Sequence, residues 1–72
     1  MNGIVEPDNK FEIGDIVYIT NVRGRPIGTI TEIDINTQYV LGVTIIRYIY
    51  TVNCKKKDYL RYEYDLKLKG NK

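Results

Sequence analysis

The sequence predicts an all-β domain, and three observations carry that prediction. Eleven isoleucines, six valines and six threonines fill nearly a third of the 72 positions, while alanine, the best helix former, is absent. Seven tyrosines push the same way, because β-branched and aromatic side chains suit a pleated sheet. No segment carries apolar residues at i, i+3, i+4 and i+7, so a helix would have no face to bury. A chain of this length makes one small domain, whose core supplies no more than about 3–5 kcal/mol of net stability. One cysteine, Cys54, closes no internal disulfide and there is no histidine, so packing alone must hold the fold.

The elements follow in order. Segment 1–10 holds the turn-forming run Pro7-Asp8-Asn9 and only Ile4 and Val5 to pack, so it reads as a loosely held, flexible arm. Phe11 and Ile13 lie two apart on one face, and Gly14-Asp15 turns the chain into a first strand at 16–21. One face of that strand belongs in the core, and alternation points Val17 and Ile19 one way and Ile16, Tyr18 and Thr20 the other. Arg23-Gly24-Arg25-Pro26 breaks that strand. In the next, 27–35, Ile30 and Ile33 are three apart, which predicts a β-bulge or a sharp bend between them. Asn36-Thr37-Gln38 is the next turn candidate.

Segment 39–54 exceeds the usual strand length and reads either as one strand kinked at Gly42 or as two, 39–44 and 48–54. Tyr48, Tyr50, Val52 and Cys54 share the better core face. Lys55-Lys56-Lys57-Asp58 makes a charged reversal, 59–62 a return strand, Glu63-Tyr64-Asp65 a tight turn, 66–68 a closing strand and 69–72 a basic tail.

Composition removes several chemistries. Without serine or histidine there is no serine nucleophile with an imidazole base, and Cys54 has no imidazole to lower its pKa. Metal sites built on histidine or paired cysteines are excluded, and Cys54 reads as a small buried hydrophobe. Asp15 with Glu32, or Glu63 with Asp65, are the carboxylate pairs left for acid–base work, and the second reads better as a polar turn. No enzymatic activity and no cofactor are therefore expected. No basic segment leading into an apolar one opens the chain, and the longest apolar stretch, 39–52, is broken by Gly42 and Arg47 and falls short of the roughly 20 residues that span a bilayer. A cytoplasmic protein without membrane contact is expected, in keeping with a lone free cysteine. Abundant Ile, Lys, Asn and Tyr match AT-rich codons and hint at a low-GC bacterium, plasmid or phage. The net charge of +2 hides an asymmetry: residues 1–54 hold four cations against six anions, and 55–72 hold seven against three.

Four fragments carry a resemblance: Phe11-x-x-Gly14-Asp15-x-Val17, Gly28-x-Ile30-x-x-Ile33, Tyr50-x-Val52-x-Cys54, and the run from Tyr62 into Asp65-Leu66-x-Leu68. Together they resemble small bacterial or phage SH3-like barrels of KOW-like pattern, in which a Gly-Asp turn opens the first strand and a hydrophobic pair closes the last. The resemblance covers 11–68 and implies a barrel of about five strands. The link over 35–47 is longer and more apolar than that pattern needs, and its stretch 39–46 suggests an added hairpin, an enlarged strand pair or a partner-binding surface; an extra β-hairpin would fall at 36–49.

Two functions follow as expectations. The first is a protein-interaction module, because Ile16, Tyr39, Leu41, Val43, Ile45 and Ile49 cannot all fit inside so small a barrel. Tyr39, Leu41, Val43, Ile45, Arg47 and Ile49 are its candidate surface, facing a second copy of the chain or a host protein. The alternative is nucleic-acid binding, which the resemblance also implies. Its candidate residues are Arg23, Arg25, Lys55, Lys56, Lys57 and Arg61 on phosphates, with Tyr18 and Tyr59 stacking on bases. A pI near 8.7 is modest for that role.

Overall fold

The computed structural model describes residues 3–6 and 11–70. Its elements are β1 (Gly3–Val5), β2 (Ile16–Ile19), β3 (Ile27–Val40), β4 (Val43–Cys54), β5 (Asp58–Tyr62), a 3₁₀ turn over Glu63–Asp65, and β6 (Leu66–Gly70). The fold is all-β, with no α-helix among the described residues. Alternation decides where the core forms. Val17 and Ile19 of β2, Ile30 of β3 and Tyr50, Val52 and Cys54 of β4 are buried on one side of the sheet, closed over by Phe11 and Leu66. Val22, Ile33, Tyr48 and Tyr59 pack around this cluster.

The strands make one open six-stranded sheet in the order β1-β4-β3-β2-β6, with β5 also paired to β4. All pairings are antiparallel except β1 with β4. Since β3 takes one edge of β4 along its whole length, β1 and β5 must share the other, β1 at residues 43–45 and β5 at 49–53. Of the bulge or bend expected between Ile30 and Ile33, it is a bulge that forms: Ile30 faces Val52 and Glu32 faces Thr51, leaving Thr31 as the extra residue. It keeps Ile30 and Ile33 on the same side despite their odd spacing.

Several expectations change. Asn36, Thr37 and Gln38 are not a turn but strand residues, opposite Arg47, Ile46 and Ile45. The reversal comes later, at Leu41-Gly42, so β4 is one strand that begins after Gly42 rather than one kinked there or split at 44–48. The first strand ends at Ile19, two residues early, where the Thr20 N–H and hydroxyl both turn to Asp65 O. Ile13 does not share the fate of Phe11: Phe11 is buried, while Ile13 sits exposed on the turn that Gly14 makes at φ 99°. Part of the expected arm, Gly3–Val5, is a strand, whereas residues 1–2 and 7–10, including Pro7-Asp8-Asn9, lie outside the described residues. Of the expected tail, Lys69 and Gly70 belong to β6, and 71–72 lie outside.

Beyond Tyr50 the β3–β4 hairpin leaves the core and continues for seven further residue pairs, Asp34 with Ile49 through Val40 with Val43. It gives the molecule extents of 45 × 23 × 15 Å and a radius of gyration of 13.4 Å, where a compact chain of this length has roughly 11 Å.

Where β2, β3 and β4 cross, Val17 faces Gly28 and Gly28 faces Cys54. A β-carbon on Gly28 would stand 2.6 Å from Val52 Cγ1, 2.7 Å from Cys54 Sγ and 2.7 Å from the Asn53 carbonyl oxygen. Side chains can shift, but the carbonyl belongs to the ladder. Gly28→Ala is therefore expected to cost about 2 kcal/mol or more in urea unfolding, and a loss under 0.5 kcal/mol would show that the strands separate easily there.

Candidate functional site

The core face of the sheet does not stop where the core stops. Parity carries it along the hairpin as Ile35, Thr37 and Tyr39 of β3, Tyr48, Ile46 and Thr44 of β4, and Ile4 of β1. Tyr39 is 80 % exposed and Ile35 67 %, and Ile4 is exposed as well, so this apolar stripe faces solvent. The opposite face carries Val43, Ile45, Arg47 and Ile49 beside Asn36, Gln38 and Val5. The sequence-predicted partner surface is thus gathered on one projecting ribbon but split between its faces, with Leu41 at the tip. Ile16, counted with that surplus, lies instead on β2, half-buried opposite Thr29.

Leu41 is the least expected residue of the molecule. Val40 pairs with Val43, so Leu41 and Gly42 form a two-residue turn, with φ of 49° and 80°. Positive φ at both positions is the type I′ signature that favours Asn-Gly, and a branched side chain there is strained. Burial does not compensate, because Leu41 is 98 % exposed.

Arg47 is braced rather than free. Its guanidinium lies 5.9 Å from the Tyr62 ring centre, Tyr62 stacks on Tyr64 at 5.4 Å, and Asn36 Nδ2 donates to the Tyr62 hydroxyl at 3.4 Å. These residues flank a shallow groove of about 160 Å³ on the outer edge of β4, in the gap between β1 and β5. Glu6 closes its far side, accepting from the Tyr48 hydroxyl at 3.3 Å.

At the other end of the sheet the lysine turn meets the start of β3. Pro26 and Ile27, which follow the loop carrying Arg23 and Arg25, line a second hollow with Cys54, Lys55, Lys56, Lys57 and Tyr59. Arg61 Nε donates to Asn21 Oδ1 at 3.0 Å and ties β5 to the same loop. Tyr59 is already engaged, with Lys57 Nζ 4.8 Å and Arg61 Cζ 5.1 Å from its ring centre. Tyr18 points out of β2, half-buried across from Ile27 and Lys67.

Burial pushes the Cys54 thiol above its ordinary range, and the Asp58 carboxylate adds to the rise, so the thiolate is disfavoured. Among the described residues no three His, Cys, Asp or Glu side chains come together to hold a metal, and no helix is long and apolar enough to cross a membrane. No family model, curated protein or solved structure matches this chain with significance.

Ile4, Val5 and Ile35 belong to the ribbon and were not foreseen on it. Ile35 continues the parity of Ile33, a signal the sequence did contain, whereas β1 joins through pairing with residues 40 positions away. Since Leu41 bears strain without burial, Leu41→Asn is expected to raise stability by about 0.5–1 kcal/mol. Thermal unfolding checks this, and a lower midpoint would mean that the leucine packs within its own chain.

Proposed function

We propose that this chain is a small, non-enzymatic, cytoplasmic protein-binding module that docks through the end of its β3–β4 hairpin. The observation that carries the reading is Leu41, a strained and almost fully exposed leucine at the tip of an uncovered apolar ribbon. Exposed apolar side chains of this extent mark interaction surfaces, and a backbone outlier points toward function when nothing in the fold relieves it. Leu41, Tyr39 and Ile35 supply apolar contact, while Val43, Ile45, Ile49 and the braced Arg47 line the reverse face.

The frame of the module is read as an SH3-like barrel that is partly open. Supporting this are the antiparallel run β2-β3-β4-β5, the pairing of β6 back onto β2, and the 3₁₀ turn between β5 and β6. Immobilised protein is expected to retain a partner that the Leu41→Asn variant loses by at least tenfold, although the variant is no less stable. Equal retention by both would remove the hairpin tip from the interface.

A second reading, nucleic-acid binding at the opposite end, is favoured by the lysine turn, Lys55, Lys56 and Lys57, with Arg61 on the same Tyr59 ring as Lys57; Arg23 and Arg25 would extend that surface. Tyr59 would hold cations rather than stack on bases, since its ring already lies between two of them. Binding of a fluorescent single-stranded oligonucleotide should then weaken with salt at a log–log slope of roughly −0.7 per phosphate contacted. It should disappear in the Lys55→Glu, Lys56→Glu, Lys57→Glu triple variant, and binding that is flat with salt would rule out this surface.

A further inference from the structure

We infer that the hairpin docks onto a second copy of this chain, by antiparallel pairing of two β3 edges across a two-fold axis at Asn36. The inference rests on the reading of the hairpin as a protein-docking surface and names its occupant.

β2 covers the edge of β3 only at Ile27, Gly28 and Thr29. The next residue is tied by its own loop, because the Ile30 N–H donates to Asp15 O at 2.9 Å and the Gly14 N–H to Ile30 O at 2.8 Å. From Glu32 to Val40, among the described residues, no strand pairs with β3 on the side away from β4. That run carries neither lysine nor proline, two residues that commonly blunt exposed edges, and it is rich in Ile, Tyr and Val. Such an edge recruits another strand.

Three conditions select the strand and its register. Residues that oppose each other must lie on the same face, so a self-pairing has to be centred on a residue and not between two. Use of the whole free run, Glu32 to Val40, places that centre at Asn36. Charge then agrees: Glu32 meets Val40 of the second copy and Asp34 meets its Gln38, whereas centring on Ile33 would oppose Glu32 to Asp34 and centring on Asp34 would oppose two aspartates. On the core-side face, Ile33 meets the second copy's Tyr39, and Ile35 its Thr37. Leu41 of the second copy comes to lie beside Thr31, next to the 13–15 loop, where Ile13 is also exposed.

The pairing therefore engages the apolar residues that line the β3 edge, while Ile4, Val5, Leu60 and Tyr64 lie away from it. Each pairing gives Ile35, Tyr39 and Val40, which are 67 %, 80 % and 48 % exposed in the monomer, cross-strand neighbours on the second copy, beside a main-chain ladder along the free run. The product is a continuous sheet, β1-β4-β3 joined to β3-β4-β1, with an isologous interface that closes at two copies.

Sedimentation equilibrium of the full chain at low salt tests this. The expected mass is twice 8.4 kDa. Gln38 gives a register-specific readout, since each dimer contains two Gln38–Asp34 pairs: Gln38→Lys should tighten the dimer roughly fivefold and Gln38→Glu loosen it by a similar factor. Ile35→Lys should yield a folded monomer, with folding checked by circular dichroism. A wild-type chain that stays monomeric up to ~1 mM overturns the inference, as does a dimer that responds in the same direction to both Gln38 variants. If the chain is monomeric yet loses a heterologous partner on Leu41→Asn, the second copy is excluded and the docking reading stands. A dimer indifferent to every hairpin substitution overturns both.

Discussion

Tyr50 is the contact on which the rest of the molecule depends. It is fully buried at the centre of β4, its ring meets Phe11 edge-on at 5.4 Å, and its hydroxyl accepts the Phe11 N–H at 3.1 Å. A buried tyrosine is tolerable only when its hydroxyl is satisfied. Here one side chain meets that demand and also anchors the segment entering β2 to the middle of the longest hairpin. Without a disulfide, this tie across 39 residues adds to the packing that must hold so small a domain. On one side of Tyr50 lie Val52, Cys54 and the closed core, and on the other lies the uncovered ribbon.

That arrangement separates functions along a single pair of strands. The core end collects basic residues on turns, where lysine and arginine remain hydrated and use the Tyr59 ring as a common platform. The ribbon end has an edge whose own charges, Glu32 and Asp34, are acidic. The two ends are thus unlike in both charge and hydrophobicity. Local changes in one leave the packing of the other intact, as expected for sites that share no partners.

Much of this was legible in the sequence because it depends on strict local rules. Alternation set Val17 with Ile19 on one face and marked Tyr50, Val52 and Cys54 as the better core face, and the three-residue spacing of Ile30 and Ile33 located the irregularity that is a bulge, because all follow from the two-residue period of a strand. The turn assigned to Asn36-Thr37-Gln38 failed for a physical reason: on a ribbon exposed on both faces, polar residues are as acceptable within a strand as in a loop. The actual turn was hidden by Leu41, which contradicts the preference that Gly42 supports. Neither the parallel β1–β4 contact nor the meeting of the start of β3 with the lysine turn has a local signal, since each joins segments distant in sequence.

The long hairpin also has a consequence for hydrogen exchange. Its ladder is continuous from Gly28–Cys54 to Val40–Val43, yet only the first part is clamped by buried side chains. Amides near Ile30 and Val52 can open only with the whole domain, while those near the turn open by fraying at a small fraction of that free energy. One pair of strands therefore spans nearly the full range of local stability available to the protein. Fraying of the outer ladder is thus expected to leave the core packed.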